Sequence, residues 1–288
     1  MPANKTLIVA FIGFHMGNVS GSCIKSWLSG LSAWHDMAGA PWPSSSRLIH
    51  FAQVSAKTAG AVHERARRNP ITLAHMLALH VNLKFSLPFH CSIWAVACIA
   101  FWGCQHLGEL IIPSKQGFDP KCHVSRSTTL KTSYNADNSR KALSFEIPWT
   151  KTTKELGATV IATAQHNSLT PFCPFIAIER HMDANMNIPE GYSLLAYLDD
   201  QGFPRNMVKS SFLGTCGKIW ENANLGNVQG HSFHIGGAVE LLLAGVKPEV
   251  VAALGGWTSL AFFTILATLR GYYPYLLTFL KLMISLRY

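Results

Sequence analysis

The sequence predicts a mostly helical protein in two domains: a helical N-terminal domain, then an α+β domain with a small three-stranded antiparallel sheet. Three observations lead there. Apolar residues in the first third recur at three- and four-residue steps, as on one face of a helix. The stretch Ile93 to Cys104 is apolar on nearly every side, as expected of a helix at the centre of a core. Between about Val124 and Ala164 the pattern shortens to β-prone segments separated by polar turns.

Taken in order, Lys5 and the apolar run Leu7 to Phe14 loosely resemble a signal peptide. No clear small-residue cleavage site follows, so an amphipathic first helix is expected. Ser20 is a candidate N-cap for a helix whose apolar face is Ile24, Trp27, Leu28, Leu31 and Trp34. Pro41, Trp42, Pro43 and three serines break that pattern before a further helix over Leu48 to Ala61. The basic run Glu64 to Asn69 precedes Pro70, which suits the first turn of a helix carrying Leu73, Met76, Leu77 and Leu79. The domain boundary is placed there, giving 1–68 and 69–288.

In the second domain the helix through Trp94 to Trp102 is the core element. Strands are expected at Val124–Thr129, Ala142–Trp149 and Ala158–Thr163, with a polar turn at Asn135–Asn138. Helical spacing returns at Phe175–Met186 and Met207–Trp220. Ser232–Ala244 follows, closed by Gly245, and then Glu249–Leu254, opened by Pro248 and closed by Gly255.

Composition narrows the function classes. Lys plus Arg number 24 against 15 acidic residues, a net charge of +9, which favours an anionic partner, nucleic acid first among them. The seven cysteines are odd in number and contain no C-x-x-C pair, so they read as reduced core thiols of an intracellular protein. The longest apolar stretch falls short of the roughly 20 residues a membrane span needs, so no membrane partner is expected. Two features suit phosphate: the helix N-termini at Gly230–Gly237 and Lys247–Glu249, whose amides lack helical partners, and the basic turn Trp149–Lys154 between two strands.

Four segments carry a further signal. Phe101-Trp102-Gly103-Cys104-Gln105-His106-Leu107-Gly108-Glu109-Leu110, Ile147-Pro148-Trp149-Thr150-Lys151-Thr152-Thr153, Gly230-His231-Ser232-Phe233-His234-Ile235-Gly236-Gly237-Ala238 and Ala253-Leu254-Gly255-Gly256-Trp257-Thr258-Ser259 resemble, in order, the motif boxes of the tyrosine recombinases of phage-integrase type. The likeness is nearest to the integrase-like proteins of mushroom-forming fungi, often tied to mobile elements, and it runs from about Phe11 to Ile265. It implies a helical core-binding (SAM-like) domain at 1–68 and a DNA breaking-rejoining catalytic domain at 69–288, the latter with an atypical apolar segment over 271–288. It also implies double-stranded DNA as partner, assembly of several copies, a nuclear location, and chemistry that needs no metal or other cofactor.

In that family a tyrosine attacks the scissile phosphate, two arginines hold its oxygens, a lysine serves as general acid, and a histidine with a histidine or tryptophan positions the group. Carried over by position, Lys151 matches the lysine, His231 the histidine and Trp257 the His/Trp place. His106 stands where the first arginine would be and His234 where the second would be. The nucleophile position reads Ile265. Strand cutting is therefore expected to be impaired. The alternatives are an active enzyme using a displaced tyrosine (Tyr272, Tyr273 or Tyr275) and a non-catalytic interaction protein that kept the fold. The family fold would also bring His106, His231 and His234 to one pocket, and three imidazoles are a recognised zinc set; the sequence alone weighs against that reading. Candidate phosphate contacts are Arg65, Arg67, Arg68, Lys115, Lys121, Arg126, Lys131, Arg140, Lys141, Lys151 and Lys154.

Overall fold

In the computed structural model the described residues are 2–43, 45–64, 69–114, 117–226, 228 and 230–257. The chain forms two compact units, Met1–Arg67 and Arg68–Tyr288. Among the described residues no helix is long and apolar enough to cross a membrane.

The first unit is three helices, α1 (Lys5–His15), α2 (Gly21–Met37) and α3 (Arg47–Ala59). Asn4 and Ser20 cap the first two: their side chains accept the backbone N–H of Leu7 and Cys23. Ile8, Ile12, Ile24, Leu28, Ile49 and Ala56 form the core. The buried stripe of α2 differs in detail from the expected one. Trp27 and Trp34 lie at its margin, 38% and 46% exposed, and His35 takes the inward place. There its Nδ1 meets the Leu31 carbonyl and its Nε2 accepts the Ala3 N–H, so the imidazole is buried with both nitrogens paired.

The second unit is built around α5 (Pro88–Trp102), in which every residue from Cys91 to Trp102 is buried. Before it comes α4 (Leu73–Asn82). Pro70 is not in the first turn of α4, because Thr72 and His75 cap each other at Leu73 and Ile71 is drawn aside to donate to the Ser232 carbonyl. After α5 come the single turn α6 (Leu107–Leu110) and the three-stranded antiparallel sheet, β1 (Lys131–Tyr134), β2 (Arg140–Ile147) and β3 (Ala158–Thr163), in the order β1-β2-β3. Leu143 faces Ala162 and Phe145 faces Val160, and these pairs turn one face of the sheet into the core.

The first strand is a correction to the sequence reading. Val124–Thr129 does not pair in the sheet; Val124 is buried and accepts the Leu194 N–H, and Ser125 bridges Ser193. Lys131–Tyr134 takes the edge instead, with all four residues exposed. An edge strand with all its residues exposed shows no alternation of apolar residues, so periodicity passes over it.

The remaining helices are α7 (Pro174–Ala184), α8 (Lys209–Asn222), α9 (His231–Leu243) and α10 (Pro248–Leu254). α5 packs against α7 on one side and α9 on another. The α9 contact is closer than side chains allow. A Cβ on Gly237 would lie 1.7 Å from the Phe101 carbonyl oxygen, and one on Gly236 would lie 2.2 Å from that of Ile71. Gly237→Ala is therefore expected to force α9 off α5 and to lower stability by about 3 kcal/mol or more, read as the denaturant midpoint. An unchanged midpoint would show that the helices are not held this close.

Behind α7 lies a buried polar network. Asn185 Nδ2 donates to the Pro88 and His181 carbonyls, its Oδ1 accepts the Leu198 N–H, and His181 Nε2 pairs with the Leu194 carbonyl. Burial pushes the His181 imidazole down to about 4. In the unfolded chain it titrates near 6.5, so between those values the unfolded state binds more protons and stability falls as pH falls. Denaturant midpoints are expected to drop from pH 6.5 towards 4, with His181 contributing up to about 1.4 kcal/mol per pH unit. A pH-independent midpoint across that window would contradict a neutral buried His181.

Candidate active site

Three segments far apart in sequence bring the site together. The first is the exit from α5. Gln105 N–H returns to the Ala100 carbonyl and Cys104 N–H to that of Phe101, a Schellman turn in which Cys104 holds the left-handed position (φ 49°) that glycine usually fills. This turn delivers His106 to the N-cap of α6, where the Glu109 carboxyl faces its backbone amide and its carbonyl accepts the Glu109 N–H. The second is the start of α9, where His231 and His234, three apart, share one helix face. The third is the end of α10. Trp257 N–H bonds to the Ala252 carbonyl and Gly256 N–H to that of Ala253, with Gly256 at φ 66°, and this second Schellman turn folds Trp257 back onto the site.

The side chains meet closely. His106 Nδ1 lies 3.2 Å from His231 Nδ1 and 3.0 Å from His234 Nδ1. The His106 and His231 rings stack with an interplanar angle of 15°, while His234 stands edge-on to His106. Trp257 covers His234 with its centroid 3.9 Å away. His234 is 1% exposed. Its Nε2 lies beside the Gly255 carbonyl without the geometry of a formed hydrogen bond.

Burial, reinforced by the neighbouring histidines, holds His106 down to about 4 and His234 to about 2. Lys209, at the start of α8, lowers His106 further. At neutral pH these two rings are therefore uncharged. The site can orient an anion by hydrogen bonding, but these two side chains add no positive charge to it.

Lys151 stands exposed on the turn between β2 and β3 and takes no part in the histidine cluster. That turn is braced rather than loosely solvated: Thr150, 3% exposed, accepts the N–H groups of Thr152 and Thr153 on its Oγ1, and Thr153 Oγ1 donates to the Gly157 carbonyl. Lys154 lies over the Trp149 ring. Lys121, Lys131 and Lys141 are exposed. Arg140 is also exposed, but it pairs with Glu179 at 2.6 Å. Arg126 is a correction: its guanidinium is buried and donates to the Asn185 carbonyl, so it belongs to the core network and not to a surface that could meet phosphate. Arg65, Arg67, Arg68, Lys115, Ile265, Tyr272, Tyr273 and Tyr275 lie outside the described residues.

Sequence reasoning passed over two groups. Gln105, 7% exposed, donates from Nε2 to the Gly103 carbonyl at 2.6 Å and to the Leu254 carbonyl at 3.1 Å, tying the His106 segment to the end of α10. Its acceptor lies 149 residues away, so no local pattern marks it. Lys209 reaches the site only because α8 packs beside it.

The fold resembles that of tyrosine recombinase catalytic domains. No protein-family model matches the chain, and no curated protein sequence matches it. Among solved structures it is similar to residues 75–356 of lambda integrase, a dimer bound to a COC' core site, with a TM-score of 0.56, 13% identity, and coverage of 91% of this chain and 79% of that one. It is likewise similar to the XerH site-specific recombinase bound to a palindromic difH substrate in a post-cleavage complex, with a TM-score of 0.55, 12% identity, and coverage of 91% and 68%.

Gly255 sets the Trp257–His234 contact, since a Cβ there would lie 2.0 Å from Trp257 Cζ3 and 2.7 Å from His234 Nε2. Gly255→Ala is expected to drive the indole off the imidazole, removing its ring-current shift from the His234 proton resonances. Unchanged His234 shifts would mean that the indole does not cover the ring.

Proposed function

We propose that this chain is a duplex-DNA-binding homologue of the tyrosine recombinases whose strand cleavage is impaired. On this reading it is a pseudoenzyme of mobile-element descent, related to the fungal integrase-like proteins, that acts in the nucleus as an assembly of copies on DNA. The observation that carries it is the convergence of His106, His231, His234 and Trp257, which come from three of the four ordered motif boxes and span up to 128 positions between paired histidines. A fold alone does not assign a function, so the weight rests on the site together with the +9 charge.

Impairment follows from the chemistry of the replacements. An arginine presents a planar fork that stays charged as negative charge grows on the phosphate, whereas the half-buried His106 and the buried His234 are neutral. Losing one oriented donor to a developing oxyanion costs about 10²–10³ in rate. Isoleucine at position 265 has no atom that can attack phosphorus.

A duplex gel shift across salt, run beside a nicked suicide substrate, tests both halves. Affinity is expected to fall linearly on a log–log plot of salt, and replacing Lys141 and Lys154 by Gln is expected to lower the slope by about 0.9 for each phosphate no longer neutralised. No covalent adduct is expected. Binding that is absent or insensitive to salt would favour the interaction-protein reading. An adduct mapping to Tyr272, Tyr273 or Tyr275 would overturn the impairment and identify a displaced nucleophile.

A further inference from the structure

We propose that His106, His231 and His234 form a zinc-binding site in which the three Nδ1 atoms hold the ion and a fourth position stays open. The hydrogen-bonding capacity of an imidazole sets the constraint. Each ring nitrogen offers either one N–H or one lone pair. His106 Nδ1 faces two other Nδ1 atoms at once, at 3.0 and 3.2 Å. As a donor it can serve one of them, and as an acceptor it can serve one of them. Without a bound cation one of the two contacts is therefore left without a full hydrogen bond from His106. A cation at the centre accepts all three lone pairs and removes the conflict.

The spacing fits this ion. Zinc–imidazole bonds of about 2.0–2.1 Å arranged tetrahedrally place ligand nitrogens about 3.3–3.4 Å apart. Two edges of the triangle lie within a few tenths of an ångström of that, and all three ligand atoms lie within 4.8 Å of one another. The third edge, between His231 and His234, would have to be closed on metal binding by a turn of the half-buried His231 ring at the first residue of α9.

The surroundings are equally suited. Zinc-bound histidines usually hand their second nitrogen to a carbonyl or carboxylate, and His234 Nε2 already lies beside the Gly255 carbonyl. Among the described residues, Lys209, which opposes a cation, and Glu109, whose carboxyl faces the His106 amide, are charged groups that bear on the site. With Lys209 close by, an anionic fourth ligand, such as hydroxide or a phosphate oxygen, is favoured over neutral water. Three imidazoles with an open position suit zinc in both donor type and number. The ion would restore positive charge in the pocket where the arginine places hold neutral rings.

The test uses the whole chain without DNA, so that failure to bind DNA and failure to bind zinc are read separately. Chelator-stripped protein is titrated with zinc chloride against a chromophoric chelator, and cobalt is substituted to read the coordination. One equivalent is expected, with the visible absorption of tetrahedral cobalt. His106→Gln and His234→Gln are each expected to weaken binding by more than about 100-fold, beyond the 10–100-fold that groups supporting a ligand are worth. Since His234→Gln alters a buried position, His231→Ala at the helix start supplies a second variant, with circular dichroism confirming the fold. In the unaltered chain, nitrogen NMR is expected to show all three rings as the Nε2–H tautomer once zinc is bound. Sub-stoichiometric zinc after dialysis, or a full equivalent that survives both His106→Gln and His231→Ala, would overturn the site.

Discussion

The closeness of α9 to α5 is the constraint on which the site depends. α5 is buried along its length from Cys91 to Trp102, so its position is set by packing, and α9 meets its backbone at Gly237, while Gly236 beside it meets the backbone of Ile71, with no side chains in between. A Cβ at either glycine would collide with a carbonyl oxygen, so the approach is fixed by backbone atoms rather than by adaptable side chains. His231 and His234 ride on the first turn of that helix and inherit its position. His106 leaves the C-terminal end of the helix it packs on. The two halves of the histidine cluster are thus referenced to one interface.

Turn chemistry then aims the side chains. α5 and α10 end in Schellman turns, and the residues that matter follow directly: His106 two positions beyond Cys104, and Trp257 immediately after Gly256. The αL conformation costs glycine little, but Cys104 is strained in adopting it. Gln105 links the two ends through a single amide nitrogen that donates to both Gly103 and Leu254. The result is a pocket held by neutral polar contacts and aromatic faces. Its histidine rings His106 and His234 bring hydrogen-bonding capacity but no fixed positive charge.

Helices with a strong three- and four-residue spacing, such as α2 and α7 to α10, were legible in the sequence, as were β2 and β3, because each has one apolar face to bury. β1 was not, since its four residues are exposed and only their backbone pairing makes a strand. His106, His231, His234 and Trp257, singled out in the sequence by their order along the chain, come together in the structure. Gln105 and Lys209 were not singled out, because their roles depend on partners that sequence spacing cannot supply. Arg126 shows the opposite failure: a basic residue in a polar stretch reads as a surface contact, yet its guanidinium is enclosed and bonded to a main-chain carbonyl.

By itself the sequence determined the order of elements, the sign of the charge, and which residue types occupy the positions that matter, for these follow from local periodicity and identity. Only the tertiary structure decided that three histidines separated by as many as 128 positions face one another through the same ring nitrogen, and that two of them are buried enough to be neutral. Distance and desolvation are properties of packing. No pattern along the chain encodes the 3.0 Å at which two imidazoles meet.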